Sequence, residues 1–559
     1  MNSDPLPSRY LPISILREGD FDLDEFSFLY DGAAMRVYPS NGDVPYFLQR
    51  EHGHVLSRFS PVPALLAVPV YAVPVWAGLD ARSDAVRWLE KIAAAAIVAA
   101  SVGILFLALG ELVPAGWAAT IALVYALGTP SFSTSSQALW EHGSAQLFVA
   151  ATLFLLVRAR ADERRADLAG LTLSLAVVSR IANVALAVPV AAYVAHAHLR
   201  RLPRFVLWAL PPLAGLLVYQ RVYFGSALRH GHEGFLAAHV WRAPLWEGLA
   251  GLLVSPGRGL FVFSPVLVLV LPGMALAWGR GAPLLFRYLT VSVALFTLLY
   301  AKFIYWWAGW VYGPRYFADL GPFLCVLLCP VVWALGSRRS FPAVFGFLAA
   351  ASVALHALGA FLWDARWDAE ANLGRSLDAV WSWRHGPIPY YAARVPDAVR
   401  EQRAKVRVRT GALPTSRDAP TLLSAAYETA LPPRLEAVAG ATIDLRLAAV
   451  NTGGAVWLAR TPDYTGAVRL GWRWLRDGEY VATPPERVDL RHPVFPGERY
   501  SFQATLAVPA PPGDYDLEVG LVDELITWFT GAGGGAPLRF RVRVVPRALS
   551  APEGGPAPS

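Results

Sequence analysis

Two kinds of charged residue in this 559-residue chain sit where they could act on a substrate. The carboxylates are Asp4, then Asp20, Asp22, Asp24 and Glu25 in the run Arg17 to Phe26, and Glu141, followed at once by His142 in Trp140-Glu141-His142-Gly143. The arginines are Arg9, Arg180, Arg229, Arg258 and Arg315. A carboxylate can take the proton of an acceptor hydroxyl, and guanidinium groups can hold a departing phosphate, so the combination suits glycosyl transfer from a phospholipid. Each residue also has a plainer reading. Asp20 and Asp31 read better as solvated charge. Glu141 and His142 divide evenly between chemistry and helix-start electrostatics. Asp22 and Asp24 are spaced for alternate faces of an extended segment, which suits metal binding or a solvated loop better than one convergent base. A divalent metal is left open, and no cofactor is otherwise indicated.

The elements that must position these residues are membrane helices. Of the residues, 55% are hydrophobic and 16% charged, with a mean hydropathy of +0.39, a balance that excludes an ordinary soluble protein. Apolar segments fall at 91–111, 115–132, 144–158, 166–179, 182–198, 205–223, 259–278, 284–303, 318–336 and 341–362. That makes about ten spans of near-membrane length, with juxtamembrane helices beside them. Ser179-Arg180 divides two of them, because an arginine at the bilayer centre is costly, so two short helices are expected to meet there at a membrane surface. The stretch 61–79 carries Pro61, Pro63, Pro69 and Pro74 and is expected to be broken or surface-lying. Cys325 and Cys329, four residues apart, read as helix packing, and no CxxC pair suggests a metal site.

Arginine placement gives the orientation. Arg158, Arg160, Arg164 and Arg165, then Arg200, Arg201 and Arg204, then Arg280 and Arg287, then Arg338 and Arg339 fall in alternate short loops, the pattern of a cytoplasmic face. The other face receives residues 1–60, the loops near 133–143, 180, 224–258 and 302–317, and everything after 363. Tyr305-Trp306-Trp307 and Trp310-Val311-Tyr312 on that face read as an interfacial belt ahead of a sugar-stacking wall. The net charge of +7 is accounted for by such loops, and no basic run interleaved with base-stacking aromatics points to nucleic acid. Residues 1–60 would lie outside with no signal peptide or span ahead of them, so a preceding helix is expected to be missing from the chain. The expected location is the bacterial inner (plasma) membrane, with the C-terminal domain on the periplasmic side.

After Trp363 a Trp- and Arg-rich connector, 364–429, leads into alternating apolar and polar runs. Ala441–Val450, Val468–Trp474, Tyr500–Val508, Tyr515–Val522 and Leu538–Val545 read as strands of a β-sandwich, 430–547, followed by a disordered tail, 548–559. Asn451-Thr452-Gly453 with Trp457, Gly471-Trp472-Arg473-Trp474 and Pro512-Gly513-Asp514-Tyr515 resemble bacterial extracellular immunoglobulin-like domains. The plain role for such a domain is an accessory cap, ahead of carbohydrate binding.

The first part of the chain resembles a family too. Asp4-Pro5-Leu6-Pro7-Ser8-Arg9-Tyr10-Leu11, Leu16 to Phe21 and Pro45-Tyr46-Phe47-Leu48 look like the first outer loop of the GT-C glycosyltransferases. These are the polyprenyl-phosphate-sugar-dependent enzymes that include protein O-mannosyltransferases and the lipid A aminoarabinose transferase. The likeness runs on through 61–79, the Glu141-His142 loop and Trp307 to Tyr316, covering about residues 4–336. It implies an outer first loop (1–60) and a transmembrane GT-C domain (61–363). It implies an inverting transfer of sugar from a polyprenyl phosphate to a glycan, lipid or protein acceptor. Asp4 matches the family's base, with Pro5 in place of its usual acidic neighbour. Glu141 and His142 become helpers from the second loop, and Arg180 and Arg315 lie near the phosphate. Arg9, Tyr10, Asp24, Arg258 and Tyr316 complete the expected substrate contacts. A transporter or flippase for lipid-linked sugars is the second expectation, and a noncatalytic envelope scaffold the third.

Overall fold

The computed structural model describes residues 3–31, 34–35, 38, 40–229, 231, 237–410, 413–459, 461, 465–482, 486–530 and 535–546. The tail expected at 548–559 lies outside them. A mostly helical N-terminal region is followed by a C-terminal β-sheet region, and the chain divides into two compact units, Met1–Ala393 and Arg394–Ser559.

Among the described residues of the helical unit four helices are long and apolar enough to cross a membrane: Ala85–Gly110, Leu199–Tyr223, Leu284–Lys302 and Phe341–Leu362. The first, of 26 residues, would span about 39 Å at 1.5 Å per residue. Several apolar runs expected as single spans are shorter or divided. The run 259–278 breaks into Leu260–Phe263, a 3-10 turn Pro265–Leu269, and Val270–Leu276. Pro265 pushes Ser264 out of the α region, to φ −126° and ψ 70°, and ends the first helix. The run 318–336 divides into Gly321–Val326 and Cys329–Leu335, with Pro330 in the first turn of the second. Conversely the proline-rich stretch, expected to be broken or surface-lying, is not broken: it is one helix, Val62–Trp76. Ala64, Ala67 and Tyr71 are fully buried along it, and this packing holds the helix through Pro69.

Helix direction separates two polar ends. Glu141–Arg158 starts with the Glu141-His142 pair and ends at Arg158, which pairs with Glu111. Arg165–Ser179 runs back, from a turn where Asp167 takes Arg201 and Arg204, to Arg180. The basic turns therefore sit at one end of these helices and Glu141, His142 and Arg180 at the other. The stretch ahead of Val62 is a helix, Leu6–Arg17, with a hairpin pairing Leu48–Glu51 to His54–Ser57.

The described residues of the C-terminal unit form two sheets. Val488–Asp489, Val468–Arg476, Gly513–Asp523, Leu538–Val545 and Arg434–Val438 lie side by side in that order, with Glu479–Ala482 and Thr527–Trp528 added as short partners. All of these pair antiparallel except Leu538–Val545 with Arg434–Val438. The second sheet orders Arg499–Ala507, Thr442–Asn451 and Ala425–Thr429. Strict alternation of buried and exposed residues along Arg499–Ala507 marks a strand with one face in the core. Trp457, Trp472, Trp474, Phe502 and Leu517, from both sheets and the segments between them, share one buried cluster.

Candidate active site

Asp4 lies one residue before the cap of the Leu6–Arg17 helix. One carboxylate oxygen accepts from Arg315 Nη1 at 2.8 Å, and the other accepts from the Tyr46 hydroxyl. Burial, reinforced by the Asp4 carboxylate, pushes the Tyr46 hydroxyl well above its ordinary range, so it stays a donor. Ser3 Oγ lies 2.7 Å from the same hydroxyl. Arg315 opens a 3-10 turn, Arg315–Ala318, and its guanidinium sits 4.8 Å above the Trp140 ring. Its Nε is buried and has no hydrogen-bond acceptor among the described residues.

The second group comes from the helix ends. Glu141 Oε1 accepts the backbone N–H of Ser60 at 2.7 Å, and Oε2 lies 3.8 Å from Arg180 Nε. Arg180 occupies the extended residue that ends Arg165–Ser179, φ −153° and ψ 119°. It donates from Nη2 to the Tyr300 hydroxyl at 2.7 Å and from Nη1 to Asp319. His142 Nδ1 is 2.7 Å from the other oxygen of Asp319. Tyr300 and Tyr316 stack with ring centroids 4.0 Å apart, and Arg180 lies over both rings.

Asp4, Tyr46, Glu141, His142, Arg180, Tyr300, Arg315 and Tyr316 line one cavity of about 650 Å³. Part of its wall is apolar, from Val177, Val178, Ile181, Leu216 and Phe303. The structure thus brings together Asp4, Glu141, His142, Arg180, Arg315 and Tyr316.

The remaining expected contacts lie elsewhere. Arg9 is buried and bonded to Glu90 at 2.7 Å, joining the first helix to Ala85–Gly110. Tyr10 packs on Phe26 and Phe28. Arg258 is fully buried, donating to Asp368 at 2.8 Å and to the carbonyls of Trp307 and Gly309. It shapes the loop that leads to Arg315 and does not line the cavity. Asp24 accepts from the backbone of Val55 and from His54 Nδ1. Asp22, Asp24 and His54 offer ligand atoms within 4.8 Å of one another, a donor set that a divalent cation could take. The bond to Asp24 raises the His54 imidazole, while burial raises the Asp22 carboxyl.

Asp319, Tyr46 and Tyr300 were not among the candidates from sequence. Tyr46 stands inside the quoted Pro45 to Leu48 motif, and Asp319 is an acid at the outer edge of an apolar run, the same signal that singled out Glu141. Tyr300, inside an apolar helix, carries no such signal.

No protein-family model and no curated protein matches the chain. Among solved structures it is matched to the Pseudomonas fluorescens alkylpurine DNA glycosylase AlkC bound to DNA containing an abasic site analog, at 13% identity over 80% of this chain and 98% of that one. The TM-score of 0.14 is far below that of a shared fold, and the match carries no argument about this chain.

Proposed function

We propose that the chain is an inverting membrane glycosyltransferase of GT-C type, moving a sugar from a polyprenyl phosphate to an envelope acceptor on the outer face of a bacterial inner membrane. One observation carries this reading. Asp4, Glu141, His142, Arg180, Arg315 and Tyr316, from distant parts of the sequence, line one cavity that is polar at one wall and apolar at another. A lipid-linked sugar phosphate needs both walls, and an acceptor hydroxyl needs a base beside them.

In this reading the acceptor oxygen attacks the anomeric carbon while the bond from that carbon to the phosphate oxygen breaks, its electron pair leaving with the polyprenyl phosphate. The hydroxyl proton passes to Asp4. The spare Nε–H of Arg315 and the guanidinium of Arg180 stabilise the phosphate charge. The bilayer itself is supported by Leu199–Tyr223, where Val206, Leu207, Leu210, Leu217, Val218 and Val222 are exposed. Such a helix is stable in lipid and costly in water. The separation of basic turns from the cavity end of the helices supports an outward-facing site. In the β unit, two sheets around one core support an immunoglobulin-like sandwich.

The test is transfer of label from a panel of polyprenyl-phosphate sugars to envelope extract by purified protein, wild type against Asp4→Asn. Transfer that falls by on the order of 10²-fold or more in the variant, with donor binding kept, fits a lost base. Equal transfer by both proteins refutes the assignment of Asp4.

A further inference from the structure

Two residues that line the cavity, His142 and Arg180, are bonded to a carboxylate outside its lining, Asp319, which the transfer scheme does not use. Asp319 is fully buried, and its two oxygens serve two different cavity residues, Oδ1 facing His142 Nδ1 and Oδ2 facing Arg180 Nη1. We propose that Asp319 is a positioning residue that fixes the tautomer of His142, so that Nε2 offers a lone pair to a substrate hydroxyl, while the same carboxylate aims Arg180; this rests on the glycosyl-transfer reading for what the two residues then do.

Donors and acceptors around Asp319 fix the tautomer. Paired with the Arg180 guanidinium, Asp319 is ionised and can only accept. His142 Nδ1, at 2.7 Å, must therefore carry the hydrogen, which leaves Nε2 of the neutral ring as the acceptor. His142 lines the cavity, and Nε2 has no hydrogen-bond partner among the described residues.

Arg180 makes the arrangement conditional. Its Nη1 also lies 3.3 Å from His142 Nδ1. With Asp319 present, both nitrogens donate to the carboxylate between them. With the carboxylate gone, Arg180 Nη1 is placed to donate to Nδ1, and the ring hydrogen must move to Nε2. The group facing the cavity then changes from acceptor to donor without any atom of His142 being removed. Asp319 touches no reacting atom in this scheme; it acts through its two neighbours.

The test uses full-length protein labelled with ¹⁵N-histidine in detergent micelles. The chain has 11 histidines, and the His142 signal is assigned by its loss in His142→Gln. Nitrogen–proton correlations should show the Nδ1–H tautomer for His142 in the wild type and the Nε2–H tautomer in Asp319→Asn, whose amide group can also donate to Nδ1. Alongside it, kcat for transfer should fall by on the order of 10²-fold or more, as a base or acceptor in the wrong tautomer would cause. The KM for the lipid-phosphate sugar should rise by a smaller factor as Arg180 loses its anchor. An Nε2–H tautomer in the wild type overturns the proposal, and this holds even where Asp319→Asn fails to fold. A flipped tautomer with unchanged kcat overturns the catalytic part. Absence of transfer by the wild type counts against the glycosyltransferase reading, and the spectra then still decide whether Asp319 sets the tautomer.

Discussion

Asp523 makes the β unit a sharp place to test the physical reading. It ends the strand Gly513–Asp523, where Tyr515, Leu517, Val519 and Leu521 alternate into the core, and it continues their side of the strand. Its side chain is fully buried, neither carboxylate oxygen has a hydrogen-bond partner among the described residues, and Glu524 stands next to it. Burial, with Glu524 adding to it, pushes the carboxyl from an ordinary 3.8 to about 7. The sign follows from which state holds the proton. Between about pH 4 and pH 7 the folded form is protonated and the unfolded form is not, so stability is greatest at the acid end and falls as pH rises towards 7. The full shift, about 3 units at 1.36 kcal/mol each, would cost about 4 kcal/mol. Asp523 sits at a strand end under a thin layer of protein, so solvent screening brings the expected loss nearer to about 2 kcal/mol. Urea unfolding of the isolated unit, residues 394–559, at pH 5, 6, 7 and 8 measures it. The fragment should unfold cooperatively and lose stability with rising pH, whereas Asp523→Asn should give a flatter profile. Wild-type stability that rises from pH 5 to 7, or an Asp523→Asn profile parallel to it, would refute the reasoning.

Three further outcomes are expected. Asp22→Asn and Asp24→Asn should each cost transfer less than about tenfold, against on the order of 10²-fold or more for Asp4→Asn, because of these three aspartates Asp4 alone lines the cavity; abolished transfer in Asp24→Asn with near-normal transfer in Asp4→Asn reverses the assignment. Ser27→Cys, Ser226→Cys and Ser501→Cys should each react with an impermeant maleimide in cells with a permeabilised outer envelope, against a low background because Cys325 and Cys329 are buried; protection of any one of them breaks the single-sided arrangement. Arg258→Met should lower stability by about 3–5 kcal/mol, since it strands Asp368 as an unpaired buried charge, and adding Asp368→Leu should recover much of the loss in thermal unfolding.

The fold was legible where one period governed a segment. Strands read at Val468–Trp474 and Leu538–Val545 are observed at Val468–Arg476 and Leu538–Val545, because large apolar residues recur at every second position through Val468, Leu470, Trp472 and Trp474 and through Leu538, Phe540, Val542 and Val544. Short partners such as Thr527–Trp528 and Val488–Asp489 have too few residues to show a period. Among the helices, hydropathy marked apolar runs without locating their breaks. Pro265 ends a helix where Pro69 does not, and the difference lies in neighbouring packing that no local pattern reveals. In the cavity, Glu141 and Arg180 were visible because charge next to an apolar run is conspicuous. Arg9 and Arg258 gave the same signal, yet each is spent on a buried partner, Glu90 and Asp368, more than 80 positions away. Charge in a membrane-like sequence shows where a partner is needed, and the fold decides whether that partner is protein or substrate.

The central claim is that this cavity moves sugar from a lipid phosphate. Its most direct test is product stoichiometry with purified protein in nanodiscs, supplied with envelope extract and doubly labelled polyprenyl-phosphate sugars. The account predicts one polyprenyl phosphate released per glycoside formed, with inversion at the anomeric carbon, and no transfer from the corresponding nucleotide sugars. Transfer from nucleotide sugars alone, or release of polyprenyl phosphate without a glycoside product, would contradict it.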